Sequence, residues 1–365
     1  IMKINYLPIF TLAFEVINCL PVSPETDAIF KTLKAVVLEV ISSGVLLKHD
    51  LMGRVYHKLL LGTTGKYYAS FYTSIPAAIL LSNLTVKTEN PDLEWDFSDL
   101  EKLKELKVVD PACGSGTLLS GIYVALKNEY VLGHYRSSKP KNLDLSSFHR
   151  IMIEEVLQGW DVLDFAGHLT LITLAFHNPD GFFDRCKIYT LPSGKDERGE
   201  IYLGSLSLLE SKFKVFSLFK EFTMQSKEKS VKEERTTYLE APLNSMDIVI
   251  MNPPFSRSAG NINVKFGYVE EEVRQEMNEK LSTLSKTLGY SQIGQAGLSA
   301  YFVILADRLL KKGGRLALVI PRSFLSGVSW KEVRNELFKH YEVEYVVSNY
   351  DPGDKELGVE PWNWS

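Results

Sequence analysis

The chain has 365 residues, of which 45% are hydrophobic and 24% charged, and carries a formal net charge of −4. That length allows two domains at most, with ample apolar content for a sizeable core, and the acidic balance excludes affinity for polyanions built on overall charge alone. The three cysteines, Cys19, Cys113 and Cys186, stand far apart with no Cys-x-x-Cys pair. Neither a disulfide framework nor a zinc site is therefore indicated, and a reducing cytoplasm is the natural compartment. No His-x-x-x-His spacing occurs, so no metal is expected and the histidines read as structural. No long apolar segment or signal peptide is found, so no membrane partner is expected.

In chain order, residues 1–62 read as a mainly helical appendage whose simplest role is a packing cap. A short helical run follows at Ala77-Ala78-Ile79-Leu80-Leu81. From residue 106 onwards strands and helices alternate: strand 106–110, helix 117–130, strand 157–161, helix 164–176, strands 187–191, 201–203 and 247–251, helix 298–311, strand 314–320, helix 330–340 and strand 342–348. Such alternation predicts an α/β fold, a doubly wound, mostly parallel sheet that binds ligands at the carboxyl ends of its strands. The main domain is expected over 63–350, with polar insertions at about 134–145, 212–240 and 256–297 and a tail at 351–365. Lys212 to Glu240 carries many charges of both signs, the pattern of a solvated face or a mobile linker. Ser256 to Gly297 contains Arg257, Lys265 and an amphipathic helical stretch from Glu270 to Leu288. Its position allows either a lid over the strand ends or a plain surface insertion.

Two strand ends carry chemistry. The first is Val108-Val109-Asp110-Pro111-Ala112-Cys113-Gly114-Ser115-Gly116-Thr117, where a buried strand passes through two glycines into a helix. Gly114 and Gly116 lack a Cβ, which lets a ligand approach the backbone. The spacing is not Gly-x-Gly-x-x-Gly, which argues against a dinucleotide, and the Lys-Ser/Thr pair of a triphosphate loop is missing. The second is the apolar strand Asp247 to Met251 running into Asn252-Pro253-Pro254-Phe255. An exocyclic amine on a nucleobase is a poor nucleophile because its lone pair is delocalised into the ring. The Asn252 side-chain oxygen and the Pro253 carbonyl are acceptors that can each take one N–H and draw the lone pair back onto nitrogen. The two prolines stiffen the turn that holds them, and Phe255 offers a face on which an extruded base can stack. Taken alone, Asn-Pro-Pro is also compatible with an ordinary strand-ending turn, and the glycine loop with a simple strand-to-helix connection.

Together the two elements resemble the amino-group DNA methyltransferases that use S-adenosylmethionine, and Asn-Pro-Pro-Phe resembles the form usual for N6-adenine enzymes. The motif order is similar to the gamma group, which includes modification subunits of type I restriction systems and fused restriction-modification enzymes. That resemblance implies a Rossmann-like methyltransferase sheet, with Asp110, Pro111, Ala112, Gly114, Gly116 and Thr117 at the cofactor and Asn252, Pro253, Pro254 and Phe255 at the catalytic turn. A Phe-Tyr-Thr-Pro segment normally precedes the cofactor loop; here it is Phe71-Tyr72-Thr73-Ser74, with Pro76 displaced by two residues. By resemblance Tyr72 and Thr73 lie beside the methionine end of the cofactor. The segment Asp50-Leu51-Met52-Gly53-Arg54-Val55-Tyr56 also resembles one common just before this domain in larger gamma-type enzymes.

Gln158-Gly159-Trp160-Asp161-Val162 ends a strand in an acidic residue, so Asp161, with Val162 beside it, is expected to accept hydrogen bonds from the ribose hydroxyls; an ordinary helix cap is the competing role. Ser205 stands where the family often has Asp near the adenine amine, so adenine recognition is weaker here or made by backbone groups. The implied partners are double-stranded DNA and a specificity subunit or a further C-terminal target-recognition domain, which would supply phosphate neutralisation that an acidic chain lacks. A protein glutamine-amide methyltransferase, which uses the same amine logic, and an inactive cofactor-binding docking module are the alternative readings.

Overall fold

The computed structural model describes residues 14–15, 17–43, 73–87, 95–136, 143–210, 212–217, 236–240, 242–255, 265–290 and 293–348. In chain order its elements are α1 (Pro24–Ser43), α2 (Ile75–Val86), α3 (Leu100–Leu103), β1 (Val108–Asp110), α4 (Thr117–Arg136) and α5 (Leu145–Ile151). A single π-helical turn leads from α5 into β2 (Leu157–Asp161), followed by α6 (Asp164–Ala175), β3 (Lys187–Thr190), β4 (Ser193–Lys195) and β5 (Ile201–Leu203). After a 3-10 turn come β6 (Lys212–Ser217), β7 (Thr236–Glu240), β8 (Met246–Met251), α7 (Glu271–Thr287), α8 (Leu298–Leu309), β9 (Leu310–Leu318), α9 (Ser323–Ser326) and α10 (Lys331–His340).

Seven strands form one sheet in the order β7-β6-β3-β2-β1-β8-β9. The five from β3 to β9 are parallel, and β6 and β7 are antiparallel to their neighbours. The period of two along each strand divides the core. Val109, Val249 and Met251 face the layer holding α8, whereas Val108, Ile248 and Ile250 face α4. On α4, Leu119, Ile122 and Leu126 recur at helical spacing and are fully buried. Each such burial contributes roughly 1.5–3 kcal/mol, which seats the helix that begins at Thr117 firmly behind β1. His149 and His177 belong to this layer: Tyr123 Oη lies 2.9 Å from His149 Nδ1, and Ser120 Oγ lies 2.7 Å from His177 Nε2.

The doubly wound, mostly parallel sheet is thus present, with four departures from the sequence reading. Lys212 to Glu240 is not simply a solvated linker, because its ends pair as an antiparallel ribbon at the edge of the main sheet. In that ribbon each charged residue alternates with an apolar or β-branched one, a pattern that charge counting conceals. Residues 201–203 are a strand, but they pair with β4 in a separate two-stranded ribbon. Residues 342–348 form no strand with any of the described residues; they are exposed, and Arg315 holds them through an ion pair with Glu344. Finally, α4 runs on to Arg136, into what reads as the first polar insertion. In the N-terminal region α1 forms, but Ile29, Leu33 and Val36 are exposed on it, so no packing cap is seen among the described residues. The segment from Asp50 to Tyr56 lies outside them. No helix among the described residues is long and apolar enough to cross a membrane.

Candidate active site

Strand β1 has β2 on one side and β8 on the other, and the chain leaves it in opposite directions, so a crevice opens at the carboxyl ends of these three strands. Asp110 ends β1 and is 1% exposed; its Oδ1 accepts the Ala112 N–H at 3.0 Å, which turns the chain out of the sheet. Asp161 ends β2. Its Oδ2 accepts the Gly114 N–H at 2.9 Å and its Oδ1 the Leu163 N–H at 3.0 Å. This carboxylate therefore ties the two strand ends together. It is not the cap of α6, whose N-cap residue is Leu163.

The two glycines of the loop do different work. Gly116 has φ +82°, and a Cβ there would lie 2.9 Å from both Cα and Cγ2 of Thr170, so this glycine serves the packing of the loop on α6. Gly114 has φ +53° with nothing within 4 Å of a built Cβ; it faces open space. Thr170 Oγ1 donates to the Gly114 carbonyl at 2.8 Å and locks the loop from behind. Ser205 is 2% exposed, and its Oγ donates to the Pro111 carbonyl at 2.6 Å, so its hydroxyl braces the loop.

On the other flank β8 delivers Asn252. The Val319 N–H donates to the Met251 carbonyl at 3.0 Å, keeping the strand paired up to the turn. Asn252 is 9% exposed, and its Nδ2 donates to Thr73 Oγ1 at 3.0 Å, a contact between residues 179 positions apart. One cavity joins these parts, lined by Thr73, Asp110, Pro111, Ala112, Gly114, Thr117, Asp161, Val162, Ser205, Asn252 and Pro254 among others. Pro253 and Gly116 are not in its wall, and Tyr72 lies outside the described residues. Phe255 instead lines a separate groove between α2, β9 and residues 341–348.

Sequence reading missed the aromatic wall of the cavity, formed by Phe266, Tyr268 and Phe302. Phe266 is 4% exposed at φ +56°, a backbone region costly for a bulky side chain. Tyr268 is held by a 2.5 Å hydrogen bond between its hydroxyl and Ser193 Oγ. The available signal was Phe266-Gly267-Tyr268, an aromatic cluster closing a polar stretch. Helix α7 packs on the β4–β5 ribbon, with Lys195 Nζ 2.7 Å from Glu276 Oε1 and Lys280 Nζ donating to the Ile201 carbonyl at 2.6 Å. This helix is thus part of the scaffold beside the cavity.

The electrostatics are one-sided. Among the described residues the lining contains Asp110 and Asp161 and no Lys, Arg or His. Burial, reinforced by the neighbouring Asp161, pushes Asp110 up to about 8. Burial also raises Asp161, against the pull of the N–H groups of Leu163, Gly114 and Val162. Cys113 is raised by burial and then by both carboxylates, which leaves an unreactive thiol. With no cationic side chain among the described lining residues, a cationic ligand meets no like charge there. Because the folded chain keeps a proton on Asp110 that the unfolded chain loses near pH 4, this group's contribution to stability is full below pH 4 and lost as pH rises towards 8. Asp110→Asn, a neutral isostere, should flatten that slope by up to about 1.4 kcal/mol per pH unit. Urea unfolding of both proteins at pH 5 and pH 8 tests this; equal losses for the two would show that Asp110 is ionised throughout.

These strands define a doubly wound, mostly parallel α/β sheet with a crevice at the switch between β1 and β8. The family model described as the Eco57I restriction-modification methylase matches residues 195–353, the stretch that contains the Asn252 turn, so over that stretch the chain resembles restriction-modification methylases. Among solved structures, the type I restriction-modification methyltransferase subunit from Streptococcus thermophilus is similar, at 16% identity and a TM-score of 0.38, over 80% of this chain and 43% of that one. A DrdV–DNA complex is similar at 15% identity and a TM-score of 0.45, over 80% of this chain and 24% of that one. The chain spans less than half the length of these structures. No curated protein matches the sequence.

Proposed function

We propose that this chain transfers a methyl group from S-adenosylmethionine to the N6 amine of an adenine extruded from duplex DNA, as the modification part of a restriction-modification system. The observation that carries this reading is that Asn252 opens into the same cavity as Gly114 and Asp161, so an amine acceptor and a nucleoside-type cradle share one space. The residues fit the cofactor: Gly114 leaves its backbone open, Asp161 offers acceptor oxygens to ribose hydroxyls, and no described lining residue is cationic, so a sulfonium meets no like charge. When bound, S-adenosylmethionine supplies a methyl carbon on a cationic sulfur, an electrophile that a localised amine lone pair attacks without a strong general base. The chain's own residues localise that pair. Asn252 Oδ1 accepts one amine N–H; the motif assigns the other to the Pro253 carbonyl, although Pro253 is not in the cavity wall, and the Pro-Pro backbone keeps both acceptors stiff. Ser205 is committed to Pro111, so recognition of the purine falls to backbone groups and the aromatic wall.

Support for the restriction-modification context is the family match across the catalytic turn. Double-stranded DNA and a specificity subunit or further recognition domain are the proposed partners. Incorporation of label from methyl-labelled S-adenosylmethionine into unmodified DNA, with the specificity partner present, is the test; label on adenine N6 is expected. Label entering only protein glutamine would replace the DNA reading with the amide one, and no label in either would leave a docking module. A second expectation concerns binding. Asp161→Ala removes a charge-assisted acceptor and should weaken the cofactor by roughly 1.5–3 kcal/mol. Calorimetry giving unchanged affinity in a folded Asp161→Ala protein would remove Asp161 from the cofactor site.

A further inference from the structure

We propose that Thr73 is a positioning residue that decides which end of the Asn252 amide faces the substrate amine. The inference rests on the methyltransferase reading and adds a role that motif and cofactor chemistry do not supply. An asparagine amide is planar, with a donor at one end and an acceptor at the other, and a half-turn about its last torsion exchanges them. Only one orientation serves an amine: Oδ1 must meet the N–H, because Nδ2 would set donor against donor. The polypeptide therefore needs a group that recognises the wrong end and holds it away.

A threonine hydroxyl can bond either end of an amide, and in this structure Thr73 takes the Nδ2 end, which makes it the group that holds the donor away from the substrate. Its Oγ1 accepts the Nδ2–H of Asn252 at 3.0 Å, and the two residues are 6% and 9% exposed, so little water competes for the amide. Geometry then turns Oδ1 away from Thr73. A hydroxyl that only accepted from the cofactor would not need to contact residue 252 at all.

The hold is rigid because Thr73 directly precedes α2. Ser74 starts that helix, its carbonyl accepting the Ala78 N–H at 2.9 Å. Ala77, Ala78, Ser82 and Val86 are buried, and α2 approaches α4 so closely that a Cβ on Gly121 would lie 2.9 Å from the Ala78 carbonyl oxygen. At the far end Arg315 Nη1 donates to the Thr85 carbonyl at 2.5 Å and the Leu84 carbonyl at 3.2 Å, fixing the helix to β9. Strand β9 also pairs with β8, which carries Asn252. The donor and the acceptor of the orienting bond are thus mounted on one braced unit.

The experiment compares Thr73→Val, which keeps the branched shape and removes the acceptor, with Thr73→Ser, which keeps the hydroxyl. On the full chain without DNA, the Asn252 side-chain amide is followed by 1H–15N correlation and assigned as the cross-peak missing in Asn252→Ala. That cross-peak is expected to move in Thr73→Val and return towards its original place in Thr73→Ser. With DNA and cofactor, Thr73→Val should lower kcat about tenfold or more, with KM for DNA nearly unchanged, and Thr73→Ser should recover most of the rate. An amide cross-peak unmoved in Thr73→Val, or a wild-type kcat in that variant, would overturn the proposal. If the wild-type protein methylates no DNA with the specificity partner present, the DNA methyltransferase reading falls, and the cross-peak by itself decides whether Thr73 orients the amide.

Discussion

Asn252→Ala should leave S-adenosylmethionine affinity within about twofold of the wild type while lowering the methyl-transfer rate by roughly 10²- to 10³-fold, the cost of deleting one preorganised polar group at a reacting centre. The separation follows from position. The cofactor cradle proposed at Gly114 and Asp161 hangs on β1 and β2, whereas Asn252 hangs on β8. Removing its amide takes away one acceptor that matters most as the lone pair localises, and leaves the loop from Asp110 to Thr117 braced by Thr170 and Ser205. The small cavity left beside Thr73 is tolerable because the residue stands at a strand end. Single-turnover methylation with saturating cofactor, alongside calorimetric titration of the cofactor, measures both quantities. A near-normal rate in the variant would show that Asn252 is only the last residue of a strand.

How far the sequence reveals this site depends on what kind of information each residue carries. Asp110, Asp161 and Asn252 are legible because each ends an apolar strand, and strand ends at the centre of a parallel sheet converge. What convergence does not reveal is the partner of each group. The bond from Asn252 to Thr73 spans 179 positions, and the one from Ser205 to Pro111 spans 94. No local pattern encodes either. Gly114 and Gly116 look alike in sequence and separate only when Thr170 is seen against one and open space against the other. Local strand propensity marks residues 201–203 and 342–348 equally well, yet the first joins a small ribbon with β4 and the second has no strand partner among the described residues, because pairing is a tertiary choice. Phe255 shows the same limit. Its proximity in sequence to Asn252 suggests a shared pocket, but Phe255 lines the groove beside α2 instead.

The glycine pair provides the sharpest separation of stability from binding. In Gly116→Ala the new methyl group would meet Thr170 backbone and side chain at 2.9 Å, on a residue at φ +82°. The contact is with helix backbone, so relief requires α6 to move from β1 and β2, and overpacking of this kind costs typically 1–3 kcal/mol. The left-handed backbone adds roughly 1–2 kcal/mol for any residue with a Cβ. A total of about 2–5 kcal/mol is a large share of the 5–15 kcal/mol that holds an ordinary domain together. Gly114→Ala has the backbone term alone, since no atom lies within 4 Å of its Cβ. That Cβ projects into space bordered by Asp161, whose carboxylate also holds the Gly114 N–H. The expected outcome is a crossed pattern. Gly116→Ala lowers the urea midpoint strongly, whereas Gly114→Ala lowers it modestly but weakens cofactor binding tenfold or more, about 1.4 kcal/mol, because the close approach to the backbone is lost. Equilibrium unfolding and calorimetry on the two variants give both numbers. If Gly114→Ala binds S-adenosylmethionine as the wild type does, the ligand does not lie against this loop, and the cradle must be sought elsewhere along the strand ends.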